Sequence, residues 1–148
     1  MAIAVGAHAP TVAGVEEGRP RALIFYKVTC EVTQEVAPLL ARFGTAYPGA
    51  VAGVGQDPRA ALDAFAQTYG WDFPQEPDLA PYEASDAYGI ASAPTVIVVD
   101  GEDRVADVVE SWDRPGMNRA SATLAGLLVV DPVEISTPED GFADFKPG

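Results

Sequence analysis

Cys30 is the only cysteine in the 148-residue chain and stands in the stretch "FYKVTCEVTQ", residues 25–34. An apolar run, "ALIF", ends as this stretch begins, and an amphipathic run, "EVTQEVAPLLARF", starts at Glu31. A cysteine at such a junction faces first-turn N–H groups that have no intrahelical partner, and it sits at the positive end of the helix dipole. Both effects stabilise thiolate over thiol, and the thiolate is the nucleophile that attacks a disulfide sulfur or a peroxide oxygen. The competing reading is a small apolar filler, because free cysteines are among the most buried residue types. A lone cysteine forms no internal disulfide, so the fold rests on packing and any disulfide is transient and intermolecular. Lys27 is a nearby cation and a candidate thiolate stabiliser. Thr33, one helical turn along, is a candidate catalytic partner that donates a hydrogen bond to Cys30. Glu31 suits the positive helix end but repels a neighbouring thiolate, and it is expected to point to solvent.

Other chemistry-bearing residues are sparse. One histidine and one cysteine give no metal cluster, and no metal or cofactor is expected. His8, beside Pro10, reads as a surface residue. "GVG" (53–55) follows a strand but lacks the spacing of a nucleotide cradle. Trp71 and Trp112 read as packing or loop-anchoring residues, with Trp112 in "ESWDRPG" a candidate border of a thiol pocket. Arg114 and Arg119 are candidates for a cation near the thiol, with surface positions as their alternative.

The elements that must position Cys30 follow from periodicity. "RALIFYK" (21–27) is a nearly continuous apolar run, which predicts a central buried strand. Apolar residues at Val32, Val36, Leu39, Leu40 and Phe43 mark one face of a helix over 31–47, in which Pro38 is expected to introduce a kink. "AVAGVG" (50–55) reads as a second strand, and Arg59–Tyr69 as a helix stopped by Gly70. Residues 71–81 hold three prolines and read as a loop with at most a short extended piece. A short helix over 82–89 precedes a hairpin formed by 95–100 and 104–111, and 117–129 form a last helix. Strands alternating with helices imply an α/β domain with a mixed central sheet flanked by helices on both faces. The tail from 131 to 148, rich in acids and prolines, shows little periodicity and is expected to run over the surface.

Twenty-two acids against nine Lys and Arg give a formal charge of −13, and the basic residues are scattered. Nucleic acid and anionic membranes need clustered cations, so neither is expected as a partner. No apolar run is long enough to span a bilayer, and "MAIAVGAHAP" lacks the basic start and sustained apolar stretch of a secretion signal. The expectation is a cytoplasmic protein.

Three segments resemble the thioredoxin-like superfamily, in its peroxiredoxin and thiol-specific-antioxidant branch. They are "VGAHAPTV" with Gly6, Ala9 and Pro10, "ALIFYKVTCEVT" with the cysteine at a helix start, and "IASAPTVIVVDGEDRV" with Ala93-Pro94-Thr95 ahead of a hairpin. The resemblance covers about residues 5–130 and implies a thioredoxin-like domain over 1–130, with 131–148 as a separate acidic tail. It implies that the loop of Ala93, Pro94 and Thr95, with a cis bond before Pro94, lies beside the sulfur and binds an extended substrate through its backbone. Thr29 is a further candidate substrate-binding residue.

The sequence departs from the family in two ways. The tetrapeptide is Cys30-Glu31-Val32-Thr33, so a threonine replaces the resolving cysteine, and the buried acid of thioredoxins falls at Ile24. Counting back by the peroxiredoxin motif puts Lys27 at its threonine and Leu23 at its proline. The resemblance therefore implies a single-cysteine thiol-disulfide oxidoreductase or peroxiredoxin-like protein. Cys30 would meet an oxidised thiol or a peroxide, and an external thiol or thioredoxin-type reductant would resolve the product. The alternative is a catalytically inactive thioredoxin-like binding module. Oligomeric state is left open.

Overall fold

A computed structural model describes residues 1–148. The strand β1 (Arg21–Tyr26) is buried along its whole length, as its unbroken apolar run requires. It lies at the centre of a five-stranded sheet. On one side it pairs in parallel with β2 (Val51–Gly55), which in turn pairs in parallel with β3 (Gln75–Pro77). On the other side it pairs antiparallel with β4 (Thr95–Val99), and β4 with β5 (Val105–Glu110). The sheet order is β3-β2-β1-β4-β5.

Both faces of the sheet are covered, which is why β1 and β4 read as apolar runs rather than alternating ones. On one face Ala22, Ile24 and Tyr26 of β1 and Val96 and Val98 of β4 share a core with three helices. These are α1 (Glu31–Ala46), α2 (Arg59–Tyr69) and the last long helix (Arg114–Leu128). On the other face Leu23, Phe25, Ile97 and Val99 pack with Ala9, Val12 and Tyr88. This second layer is built from the N-terminal segment and the short helix α3 (Glu83–Ala87), the Arg114–Leu128 helix being α4. The Tyr88 hydroxyl donates to the Pro10 carbonyl at 2.6 Å, which ties those two pieces together. Burial lifts this phenol to about 12, so it remains a neutral donor.

Three features refine the sequence expectations. Helix α1 runs through Pro38, although the proline leaves the Gln34 carbonyl without its usual donor. Helix α4 starts at Arg114, three residues before the apolar periodicity shows. Its signal is chemical: Asp113 is the N-cap and accepts from the Gly116 N–H at 3.1 Å, with Pro115 in the first turn. The extended piece allowed within 71–81 is the edge strand β3.

The tail runs mostly over the surface, as expected, but it is anchored and ordered in ways that its sequence does not announce. Ile135 is buried in the larger core and Ser136 is also buried. A 3-10 turn over Pro138–Asp140 closes with a capping box between Thr137 and Asp140. Buried Arg114 gathers the chain beyond it: its guanidinium donates to Ser136 Oγ at 3.0 Å and to the Phe142 carbonyl at 2.7 Å, and it pairs with Asp144. Trp112 Nε1 donates to the Ala143 carbonyl at 2.8 Å. The short strands β6 (Trp112–Asp113) and β7 (Phe145–Lys146) then pair antiparallel, and Lys146 forms an ion pair with Glu35 of α1. Low periodicity hid this arrangement because polar and backbone groups, not an apolar face, carry it.

The Thr137 N–H, the Arg42 guanidinium and the Ser136 hydroxyl hold the Asp140 carboxyl at about 2, below its ordinary 3.8. A carboxyl depressed on folding contributes stability that is complete above 3.8 and lost as pH falls through about 2. Trp112 emission is expected to shift with tail release over that acid range. In Asp140→Asn it is expected to be shifted already at neutral pH, with a smaller acid step; fluorescence titration of both chains checks this.

Candidate functional site

The sheet register sets the site. Phe25 stands opposite Thr95, so the chain leaving β1 and the chain entering β4 emerge at the same edge. The turn after β1 is held from both sides. Asp57 Oδ2 accepts from the Val28 N–H at 2.9 Å, the Gln34 side-chain amide donates to the Val28 carbonyl at 2.7 Å, and the Cys30 N–H closes onto the Lys27 carbonyl at 3.1 Å. Cys30 is thereby fixed as the N-cap of α1, with extended backbone angles (φ −78°, ψ 121°). No side-chain hydrogen bond caps the helix, so the half-buried sulfur sits at the positive end of the dipole, with the exposed Glu31 the one acid in the first turn. The Cys30 Sγ–H donates to the Ala93 carbonyl at 3.4 Å.

Beside the sulfur is a pocket of about 260 Å³. Its walls are the end of β1 (Phe25, Tyr26, Lys27), Gln56 after β2, Ser85 of α3, the 90–93 segment and Gly148. Lys27 is exposed and forms no ion pair. The Ser85 side chain is 3% exposed and its hydroxyl has no partner within the protein. Burial, and then the charges of Asp57 and Asp63, push the Tyr26 phenol far above its usual range. It stays neutral and donates to Gln75 Oε1 at 2.7 Å.

Of the residues singled out in the sequence, Lys27, Cys30 and Ala93 meet at this pocket. The others do not. Thr33 is fully buried and its hydroxyl is unpartnered, so the expected hydrogen bond to Cys30 is not formed. Thr29 is exposed on the turn and does not line the pocket. Thr95 lies within the sheet, between Phe25 and Glu110, and its hydroxyl turns back to the Ser92 carbonyl at 2.8 Å. The Pro94 carbonyl accepts from the Ser111 N–H at 2.8 Å, and the Ala93–Pro94 bond is cis. Only Ala93 of this trio faces the sulfur.

The candidate bystanders resolve as well. Trp112 and Arg114 hold the tail, while Arg119 forks onto Asp107 of β5 with its shortest bond at 3.0 Å. Trp71 is buried among Tyr26, Phe65 and Phe73 and donates to the Ala37 carbonyl at 2.9 Å. His8 is exposed.

No family model matches the chain, and no curated protein is similar enough to match it. Solved structures do match. A secreted Mycobacterium tuberculosis disulfide oxidoreductase homologous to E. coli DsbE aligns over 75% of this chain and 84% of its own, at 21% identity and a TM-score of 0.62. MTB dsbF aligns over 73% and 82%, at 26% identity and a TM-score of 0.62. A thiol:disulfide interchange protein of the thioredoxin family from Chlorobium tepidum aligns over 86% and 99%, at 17% identity and a TM-score of 0.63. The fold is thioredoxin-like. Cys30 holds the start of the first long helix in it, opposite the loop that ends at Pro94.

Ser85, Ser92, Ser111 and Gly148 escaped the sequence reading. The Ser111 hydroxyl accepts from the Gly148 N–H at 3.0 Å and donates to Ser92 Oγ at 3.1 Å, a relay that crosses three distant segments. No spacing rule links residues 85, 92, 111 and 148.

Asp57 is the anchor of the cysteine turn. Asp57→Ala leaves the Val28 N–H without its acceptor and is expected to lower unfolding free energy by about 1–2 kcal/mol. It is also expected to alter the alkylation rate of Cys30 through a loosened turn. Denaturant titration and iodoacetamide kinetics on the two chains check both effects.

Proposed function

We propose that this chain is a single-cysteine thiol-disulfide oxidoreductase acting through Cys30. One observation carries the reading: a half-buried sulfur at an uncapped helix N-terminus, opening onto a pocket and opposite the Ala93 carbonyl. A structural filler would need no pocket. Similarity of fold to a disulfide oxidoreductase and to a thiol:disulfide interchange protein supports it.

The steps follow from one thiol. The Cys30 thiolate attacks one sulfur of a disulfide; the Sγ–S bond forms as the substrate S–S bond breaks, and the other half leaves as a thiolate. A dithiol enzyme would then use a second cysteine, but Thr33 stands there and cannot attack. An external thiolate must therefore attack the mixed disulfide, take up the substrate half and return Cys30 to its reduced state. The pocket is lined by neither Thr29 nor Thr33, so no threonine hydroxyl supports peroxide reduction. That favours disulfide exchange over a peroxidase. A thioredoxin-type protein or a small thiol would serve as reductant.

Cys30→Ser is expected to abolish mixed-disulfide formation without unfolding the chain. Thr33→Cys is expected to let the chain release its own substrate as an internal disulfide, so that a Cys30 adduct no longer accumulates when external thiol is withheld. Intact-mass measurement after reaction with a small disulfide checks both. A Cys30 that forms no adduct in the parent chain would leave the non-catalytic binding module as the better reading.

A further inference from the structure

The strip expected to hold an extended substrate is already occupied. Thr95 is enclosed in the sheet between Phe25 and Glu110, and the Pro94 carbonyl is held by the Ser111 N–H. The remaining backbone, at Ala93, lies under Gly148. A Cβ built on Gly148 would come within 2.8 Å of the Ala93 carbonyl carbon and 3.2 Å of its nitrogen, so the two backbones are in direct contact and leave no room for a third chain. The Gly148 N–H is fixed on Ser111 Oγ at 3.0 Å. Behind it, β7 pairs with β6, Lys146 pairs with Glu35, and the Arg114 cluster binds residues 136–144. The segment is a wall with a deep footing.

What stays open at the sulfur is the pocket of about 260 Å³, with Gly148 forming one side. Such a volume admits a group of a few heavy atoms, while Gly148 on the Ala93 side leaves an extended chain no backbone to pair with. Behind its wall lies an unmet polar demand. The Ser85 hydroxyl is buried without a partner, a state that costs about 1–3 kcal/mol unless something bonds it. Lys27 and Gln56 add further donors at the rim.

We infer that the substrate of Cys30 is a low-molecular-weight disulfide whose polar substituent enters the pocket toward Ser85, and that residues 145–148 exclude polypeptide disulfides by filling the Ala93 strip. This rests on the thiol chemistry proposed above and specifies its substrate class. The exchange balances as before: the small disulfide gives one half to Cys30 and loses the other as a thiolate, and an external thiolate removes the first half.

One mixed disulfide tests the choice directly. A short neutral cysteine peptide capped with a 2-hydroxyethyl disulfide offers Cys30 two sulfurs, and intact mass reports which half it keeps. The full chain is expected to keep the hydroxyethyl half and expel the peptide thiol. A chain lacking residues 145–148 and the variant Lys146→Glu, which sets like charges against Glu35, are both expected to raise the ratio of peptide adduct to hydroxyethyl adduct by about tenfold. Ser85→Ala is expected to slow reaction with bis(2-hydroxyethyl) disulfide by about fivefold, the worth of one hydrogen bond, while leaving iodoacetamide alkylation unchanged. A peptide adduct equal to the hydroxyethyl adduct in the full chain, a ratio that neither tail variant moves, or an unchanged Ser85→Ala rate would each overturn the inference while leaving disulfide exchange intact. No adduct of either kind on any chain would instead remove the exchange chemistry itself.

Discussion

The antiparallel pairing of β1 with β4 is the constraint from which the site follows. With Phe25 fixed opposite Thr95, five residues on one strand exit and two on the other entry bring Cys30 Sγ and the Ala93 carbonyl to 3.4 Å. A shift of one residue would turn Ile24 and Val96 away from the helices and destroy the core on both faces. Burying each such aliphatic or aromatic side chain is worth about 1.5–3 kcal/mol, so register is held by many contacts far from the sulfur. The site itself needs only a few hydrogen bonds to the turn, from Asp57 and Gln34, because the sheet has already placed its two ends.

A second constraint comes from the other end of the chain. Arg114 is almost fully buried, and a buried guanidinium must find acceptors for its donors. It finds them in Ser136, Phe142 and Asp144, all in the tail. Ordering that stretch carries residues 145–148 along β6 to the Ala93 loop. The two halves of the site are thus set by different physics. Hydrophobic register places the thiol, and satisfaction of a buried cation places the wall that limits access to it.

This difference explains what could be read from the sequence. Continuous apolar runs announced β1 and β4, the 3.6-residue spacing announced α1 and α2, and Gly70 announced the end of α2; all report burial, which leaves a periodic trace. The seat of Cys30 was legible because it depends on where a strand stops and a helix starts. The three-residue error at the start of α4 arose because Asp113 and Pro115 act through capping, which has no periodicity. The tail was illegible for the same reason taken further: its ties run from Asn118, Arg42, Arg114 and Trp112, residues far away in sequence, to backbone atoms of any residue type. Thr95, read both as the first residue of a strand and as part of a substrate-binding loop, serves only the strand, and one helical turn of separation does not bring the Thr33 hydroxyl to the sulfur.

Thr33 shows how the single thiol shapes the chemistry. Its side chain is wholly buried one turn beyond Cys30, and its hydroxyl finds no acceptor in the protein. A threonine there can neither attack a mixed disulfide nor, without a hydrogen bond to Sγ, tune the first thiolate. If the chain exchanges disulfides as proposed, every electron pair that leaves as a substrate thiolate is replaced from outside, by a thiol that reaches the Cys30 adduct in the same pocket. Where the Ala93 strip is closed by Gly148, that approach is narrow as well. Under the proposed chemistry the wall would restrict the resolving thiol as well as the substrate, so that both half-reactions would draw on partners small enough, or exposed enough at their own sulfur, to enter beside Ser85.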